Sequence, residues 1–130
     1  MQNKRSVQLN YNNLVFKAVS NTENGETSAE TIFHYKQEGK ILSATYKGGA
    51  ILYGSLVGFV DDDFRLHFRY SQVNNDYQLR SGECTSSPEI LADGRIRLHE
   101  KWQWSIDDNS EGVSVVEEVK SKEILLVSES

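Results

Sequence analysis

The sequence of 130 residues has a single cysteine, Cys84, and a single proline, Pro88. One cysteine excludes an internal disulfide and a multi-cysteine zinc site. No hydrophobic run approaches the roughly 20 residues that a membrane-spanning helix needs, and no apolar signal segment follows Met1. From these absences we expect a cytoplasmic protein without a membrane partner.

Basic residues are also scarce, because 14 Lys and Arg stand against 19 Asp and Glu, which gives a net charge of −5. This balance predicts no nucleic-acid partner. Arginine binds carboxylates and phosphates through paired donors, so the arginine-rich middle of the chain favours a small anionic ligand. The alternative is a solvated surface that balances neighbouring acids. The arginines concerned are Arg65, Arg69, Arg80, Arg95 and Arg97.

Short stretches typical of β-strands recur along the chain, and no segment shows the apolar period of a helix. The predicted strands are 14–20, 31–37, 41–47, 50–60, 64–73, 77–86, 95–104 and 113–119. Their short connections predict an all-β fold, an antiparallel up-and-down meander of about eight strands closed into a lipocalin-like barrel. An open β-sandwich is the alternative.

The predicted domain boundaries follow from this pattern. Residues 1–12 form a flexible N-terminal lead, 13–119 a single β-barrel domain, and 120–130 a C-terminal tail in which 124–127 is a candidate edge strand. Gly54 and Gly58 inside the fourth strand predict a bend or a close backbone approach. Ser87 and Pro88 are expected to end the sixth strand.

The stretch 95–104 alternates most clearly, and its inward face consists of Ile96, Leu98, Glu100, Trp102 and Trp104. A carboxylate on an apolar face is costly to ionise unless a cation pairs with it. The sixth strand fits two registers. One register turns Ser81 and Glu83 inward, and the other turns Arg80, Gly82 and Cys84 inward. In the second register Arg80 would be the natural partner of Glu100.

Binding of a small, partly apolar anion inside the barrel is the function that these residues favour. The predicted ligand-binding residues are Tyr70, Gln72, Arg80, Glu100, Trp102 and Trp104. A first alternative is a solid-cored interaction protein or homodimer that acts through its surface. A second is an enzyme that uses Glu100 as a general acid or base, which a second titratable group beside Glu100 would favour. No cofactor is expected.

Other residues with chemical potential fit structural roles better. The histidines His34, His67 and His99 are expected to face outward independently, so no metal site is predicted. Cys84 is expected to be a small buried hydrophobe rather than a nucleophile. The aromatic residues, Tyr53 and Phe59 among them, are expected to lie mostly in the core.

Four stretches carry a resemblance to known sequences, namely Asn-Thr-Glu-Asn-Gly-Glu at 21–26, Thr-Ile-Phe-His-Tyr-Lys-Gln-Glu-Gly at 31–39, Phe-Arg-Tyr-Ser-Gln-Val-Asn at 68–74 and Asp-Gly-Arg-Ile-Arg-Leu-His-Glu-Lys-Trp-Gln-Trp at 93–104. Over residues 11–118 the chain resembles a family of small bacterial proteins of unassigned function. Its members often carry the automatic label N-acetylglutamate synthase. Such synthases resemble acetyltransferases, in which a Gly-rich strand-to-helix turn holds coenzyme A. Gly48 and Gly49 lie between predicted strands instead, so we expect that the label does not apply. Strand number and meander order are similar to those of lipocalin and avidin barrels.

Overall fold

The computed structural model describes residues 9–105 and 109–119, which form eight strands and no helix. No helix among these residues is long and apolar enough to cross a membrane. The strands are β1 (Val15–Asn21), β2 (Ile32–Glu38), β3 (Ile41–Gly48), β4 (Ile51–Val60), β5 (Leu66–Asn74), β6 (Leu79–Ile90), β7 (Ile96–Trp104) and β8 (Glu111–Glu118).

Each strand pairs with the next one in the chain, and β8 pairs with β1, so the sheet closes into a barrel. All eight pairs are antiparallel. The predicted eight-stranded meander barrel is therefore confirmed, and the open sandwich is excluded. Closure gives every strand a partner on both sides over at least part of its length.

The alternation of β7 places its apolar face in the core as predicted. Ile96, Leu98, Glu100, Trp102 and Trp104 are all buried, and the residues between them face outward. The same period-two pattern operates along β5. Alternation on a closed barrel sends every second side chain to the interior, which accounts for both strands.

The register of β6, which the sequence left open, turns Gly82, Cys84 and Ser86 inward. Leu79 is 70% exposed. The expectation that Pro88 ends this strand is wrong, because β6 continues to Ile90 and Pro88 pairs with β7. Its pairing with β5 ends at Ser86, so at Pro88 the strand has one neighbour, where a residue without an N–H is tolerated.

Two aromatic residues of β4 depart from the expected core. Tyr53 is 54% and Phe59 50% exposed, so their predicted burial is wrong. An irregularity in the pairing with β5 between Ile51 and Tyr53 sets which residues of the strand face outward. The close backbone approach predicted at Gly58 is confirmed, because a Cβ there would lie 1.9 Å from the carbonyl oxygen of His67.

Tyr11 closes one end of the barrel. It is fully buried, its hydroxyl donates to the carbonyl of Phe64 at 2.7 Å, and its N–H donates to Oε1 of Gln37 at 2.9 Å. Tyr11 thus belongs to the packed core, although the sequence assigned it to the N-terminal lead. The rest of that lead up to residue 8, and the tail with its candidate strand at 124–127, lie outside the described residues.

At the other end of the barrel lie the β1–β2, β3–β4 and β5–β6 connections, the last residue of β7 and the first residue of β8, and we call this end the mouth. The β1–β2 loop spans residues 22–31, and its residues Gly25, Glu26 and Thr27 line a cavity at this end. Each strand spans the distance between the mouth and the Tyr11 end. Every second side chain faces inward, so the inward residues of a strand lie at successive depths of the barrel.

Candidate ligand-binding site

A small cavity of about 50 Å³ lies inside the mouth. Five of the six predicted ligand-binding residues line it, and Arg80 lies beside them at the rim. The aliphatic, aromatic and thiol part of the wall is Phe33, Tyr46, Leu56, Phe68, Tyr70, Cys84, Trp102 and Trp104, and the polar part includes Asn21, Glu26, Gln72, Glu100 and Ser114.

Three aromatic rings form one side of this cavity. The ring centroids of Trp102 and Trp104 lie 5.5 Å apart, and those of Tyr70 and Trp104 lie 5.7 Å apart in an edge-to-face arrangement. The guanidinium of Arg80 sits 4.1 Å from the centroid of the Trp104 ring. The arrangement offers a flat apolar molecule large contact surfaces next to a positive charge.

Glu100 lies deeper in the barrel, where two serine hydroxyls hold its carboxylate. Ser114 donates to Oε1 at 2.8 Å and Ser86 donates to Oε2 at 3.1 Å. Burial raises the pKa of Glu100 to about 7, although both serine hydrogen bonds oppose the shift. At neutral pH the group is therefore divided between its neutral and ionised forms.

The expected pairing of Arg80 with Glu100 is wrong. Ser86 and Ser114 lie in register opposite Glu100 on the two adjoining strands, so they are its immediate neighbours. Arg80 lies further toward the mouth, and its Nη1 contacts Glu26 Oε2 at 3.4 Å. The difference arises because the two residues stand at different depths of the barrel.

The enzyme alternative calls for a second titratable group within hydrogen-bond reach of Glu100. Among the described residues its hydrogen-bond partners are the two serine hydroxyls, which do not titrate. The Cys84 thiol lies 3.8 Å from the Ser86 hydroxyl, and burial raises its pKa well above the ordinary value. A buried thiol with a raised pKa is a poor nucleophile, which agrees with the expected structural role.

Glu26 is the site residue that the sequence did not identify. Its Oε1 accepts a hydrogen bond from Gln72 Nε2 at 2.8 Å, and its Oε2 accepts one from Asn74 Nδ2 at 2.8 Å. The sequence places Glu26 in a polar turn and gives no sign of these partners, which both lie on β5, 46 and 48 residues further along the chain. The predicted barrel places the β1–β2 turn and the end of β5 at the same end of the molecule, and this is the one signal in the sequence that relates Glu26 to these partners.

The arginines outside the mouth match the balanced-surface alternative. Arg65, Arg69, Arg95 and Arg97 each form an ion pair with an acidic neighbour. His67 and His99 also hydrogen bond to surface carboxylates, and His34 is exposed. Within residues 9–105 and 109–119, no three His, Cys, Asp or Glu side chains are grouped in a way that could hold a metal ion.

The closed antiparallel meander with a recess at one end defines a class of small barrels whose interior either packs solid or holds one small ligand. Within this class, a family model described as avidin-like protein matches residues 9–119. The chain belongs to this avidin-like family, and the predicted likeness to avidin and lipocalin barrels is confirmed. No curated protein and no solved structure matches the chain.

Proposed function

We propose that this protein binds one small, partly apolar molecule inside the mouth of its barrel. The observation that carries the proposal is the cavity, in which an aromatic wall faces a few fixed polar groups. Ligand pockets in proteins typically combine these two features, because apolar surface provides affinity and a few polar groups fix orientation. Avidin-like barrels typically bind small ligands, which supports the same function.

One polar group in the cavity wall lacks a partner. Nδ2 of Asn21 donates to the carbonyl and the hydroxyl of Thr27 at 3.1 and 2.8 Å, whereas Asn21 Oδ1 is buried and accepts no hydrogen bond among the described residues. A buried unsatisfied acceptor costs about 1–3 kcal/mol. This oxygen has almost no accessible surface while the β1–β2 loop is closed, so a ligand N–H or O–H would recover this free energy only in an opened state.

The size of the cavity limits what can enter while the β1–β2 loop is in place. A buried water needs roughly 10–15 Å³ of such space, and an engineered cavity of roughly 150 Å³ binds benzene. The 50 Å³ found here holds a few atoms. A ligand with a ring therefore requires the loop at residues 22–31 to move outward.

The remaining parts of the sequence-based function stay predictions. These are the anionic character of the ligand, the cytoplasmic location and the absence of nucleic-acid and membrane partners. A homodimer is the second proposal, and it is supported by an apolar patch on the outer face of β3 and β4. There Ile41 and Phe59 are register partners, and Ile41, Val57 and Phe59 are each at least half exposed.

Native mass spectrometry of gently purified protein tests both proposals. We expect an added mass that is lost on denaturation, and we expect the variant Cys84→Leu, whose larger side chain fills the cavity, to lack it. Overpacking costs about 1–3 kcal/mol, so circular dichroism must first show that the variant is folded. An adduct retained by Cys84→Leu, or a bare wild-type mass after growth in several media, would contradict interior binding. The assembly mass reports a dimer directly.

A further inference from the structure

We propose that Gln72, Asn74 and Arg80, which we call the donor cluster, form a carboxylate-binding site at the mouth. In the structure Glu26 of the β1–β2 loop occupies this site as an internal ligand. The molecule that the barrel binds is then a small carboxylate with an apolar body, which takes the place of Glu26. This inference rests on the proposed function and specifies the chemical class of the ligand.

The donor cluster is built by the sheet, whereas its carboxylate comes from a loop. Gln72 and Asn74 are successive inward residues of β5, and Arg80 is the register partner of Gln72 on β6. The two amides are 3% and 5% exposed, and the Arg80 side chain is 25% exposed. Together the three side chains contact both oxygens of Glu26, as expected of a site that recognises carboxylates.

Contacts other than those with Glu26 orient both amides as donors. Oε1 of Gln72 accepts a hydrogen bond from the Tyr46 hydroxyl at 2.8 Å, so its Nε2 faces the site. Oδ1 of Asn74 accepts the backbone N–H groups of Asp76 and Gln78, both at 3.0 Å, so its Nδ2 faces the same way. These orientations persist when Glu26 leaves, and the cluster is pre-organised for another carboxylate.

Departure of Glu26 alone would take from the buried Gln72 Nε2 the acceptor that it has in the structure, whereas Asn74 Nδ2 would keep its hydrogen bond to Gln78 Oε1 at 2.9 Å. An unsatisfied buried amide donor costs about 1–3 kcal/mol. A ligand carboxylate offers two acceptor oxygens and a negative charge to the three donors, whereas a neutral amide of the same shape offers one acceptor oxygen and no charge. The cluster therefore couples opening of the loop to the arrival of an anion.

The apolar body of such a ligand has a defined place. Glu26 and Gln72 line the same cavity as Trp104 and Tyr70, and the Arg80 guanidinium lies over the Trp104 ring. A ring attached to a carboxylate in the Glu26 position would extend inward along these aromatic side chains. Withdrawal of Glu26 supplies space that the closed cavity lacks.

Calorimetric and NMR titrations with benzoate, benzamide and acetate test this inference. The proteins are wild type, Glu26→Ala and Glu23→Ala, a control that removes the same charge from an exposed position of the same loop. Glu26→Ala frees the site of its internal competitor, so we expect it to bind benzoate at least about tenfold more tightly than wild type does. Glu23→Ala should match wild type, and benzamide should gain less than about threefold because it lacks the anionic group.

The outcomes separate this inference from the proposed function. An equal gain for benzamide would show that the loop is a simple cover, so the carboxylate site would be wrong while cavity binding stands. In another outcome, acetate shifts the side-chain amide signals of Gln72 and Asn74 while benzoate binds no more tightly than acetate does. That result would support the carboxylate site and contradict the apolar cavity function. No gain in benzoate affinity and no acetate shift would overturn the inference. If Glu26→Ala does not fold, Glu26→Gln keeps the side-chain volume, and we expect the same direction of change.

Discussion

Replacing Glu100 by Gln is expected to stabilise the protein by up to about 3 kcal/mol at about pH 8 and to change its stability little at about pH 4. The reason is the buried position of the carboxyl, which raises its pKa in the folded protein to about 7 from an ordinary value of 4.5. Each pKa unit corresponds to about 1.4 kcal/mol. Gln retains one acceptor and offers donors to the hydroxyls of Ser86 and Ser114, so the two hydrogen bonds survive the change.

The sign follows from proton binding. Between pH 4.5 and about 7 the folded protein keeps the Glu100 proton that the unfolded chain releases. Stability from this group is therefore lost as pH rises through that window, and it stays low above the window. Denaturant unfolding measures the free energy of unfolding of wild type and Glu100→Gln across this pH range. The difference between the two proteins reports Glu100, because they share all other titrating groups. A stability difference that does not change with pH would show that Glu100 titrates normally.

Replacing Trp104 by Ala is expected to cost about 3–5 kcal/mol of stability and to abolish ligand binding. The Trp104 side chain is 4% exposed, contacts the rings of Trp102 and Tyr70, and lies under Arg80. Its Nε1 also donates to the carbonyl of Asn24 at 3.1 Å, which ties the β1–β2 loop to the barrel. Denaturant unfolding measures the first effect, and a benzoate titration measures the second.

Two further variants separate the roles of Trp104. Trp104→Phe keeps an aromatic ring but loses the hydrogen bond to Asn24, so amide hydrogens of the β1–β2 loop should exchange faster while most of the stability remains. Val57→Ala on the outer face should change stability by no more than about 0.5 kcal/mol. A loss of under about 1 kcal/mol for Trp104→Ala would contradict the central packing role assigned to this ring.

Strand alternation is what made the barrel predictable. The pattern at Ile96, Leu98, Glu100, Trp102 and Trp104 has one consistent inward face, so its burial follows from the two-residue period of a strand. Regular turns between such strands then lead to a closed meander. Much of the cavity wall could be predicted from the sequence for the same reason, since most of its residues are inward-facing residues on strands.

The polar contacts of the site depend on distances that alternation does not encode. In β6 either register placed a charged residue inside, and the choice rests on tertiary neighbours such as Ser86 beside Glu100. Glu26 lies on a loop, and its partners Gln72 and Asn74 stand on a strand that pairs with neither β1 nor β2. Arg80 and Glu100 do not pair because they lie at different depths of the barrel. To predict such depths, one needs the register of every strand pair.

The most direct test of interior ligand binding is an NMR screen of small fragments that follows the indole N–H signals of Trp102 and Trp104. These are the two tryptophans of the protein, and both line the cavity. We expect small aromatic carboxylates to shift both signals in Glu26→Ala and to shift neither in the filled variant Cys84→Leu. If fragments leave both indole signals unchanged in folded Glu26→Ala, or shift them equally in Cys84→Leu, the cavity is not a ligand site.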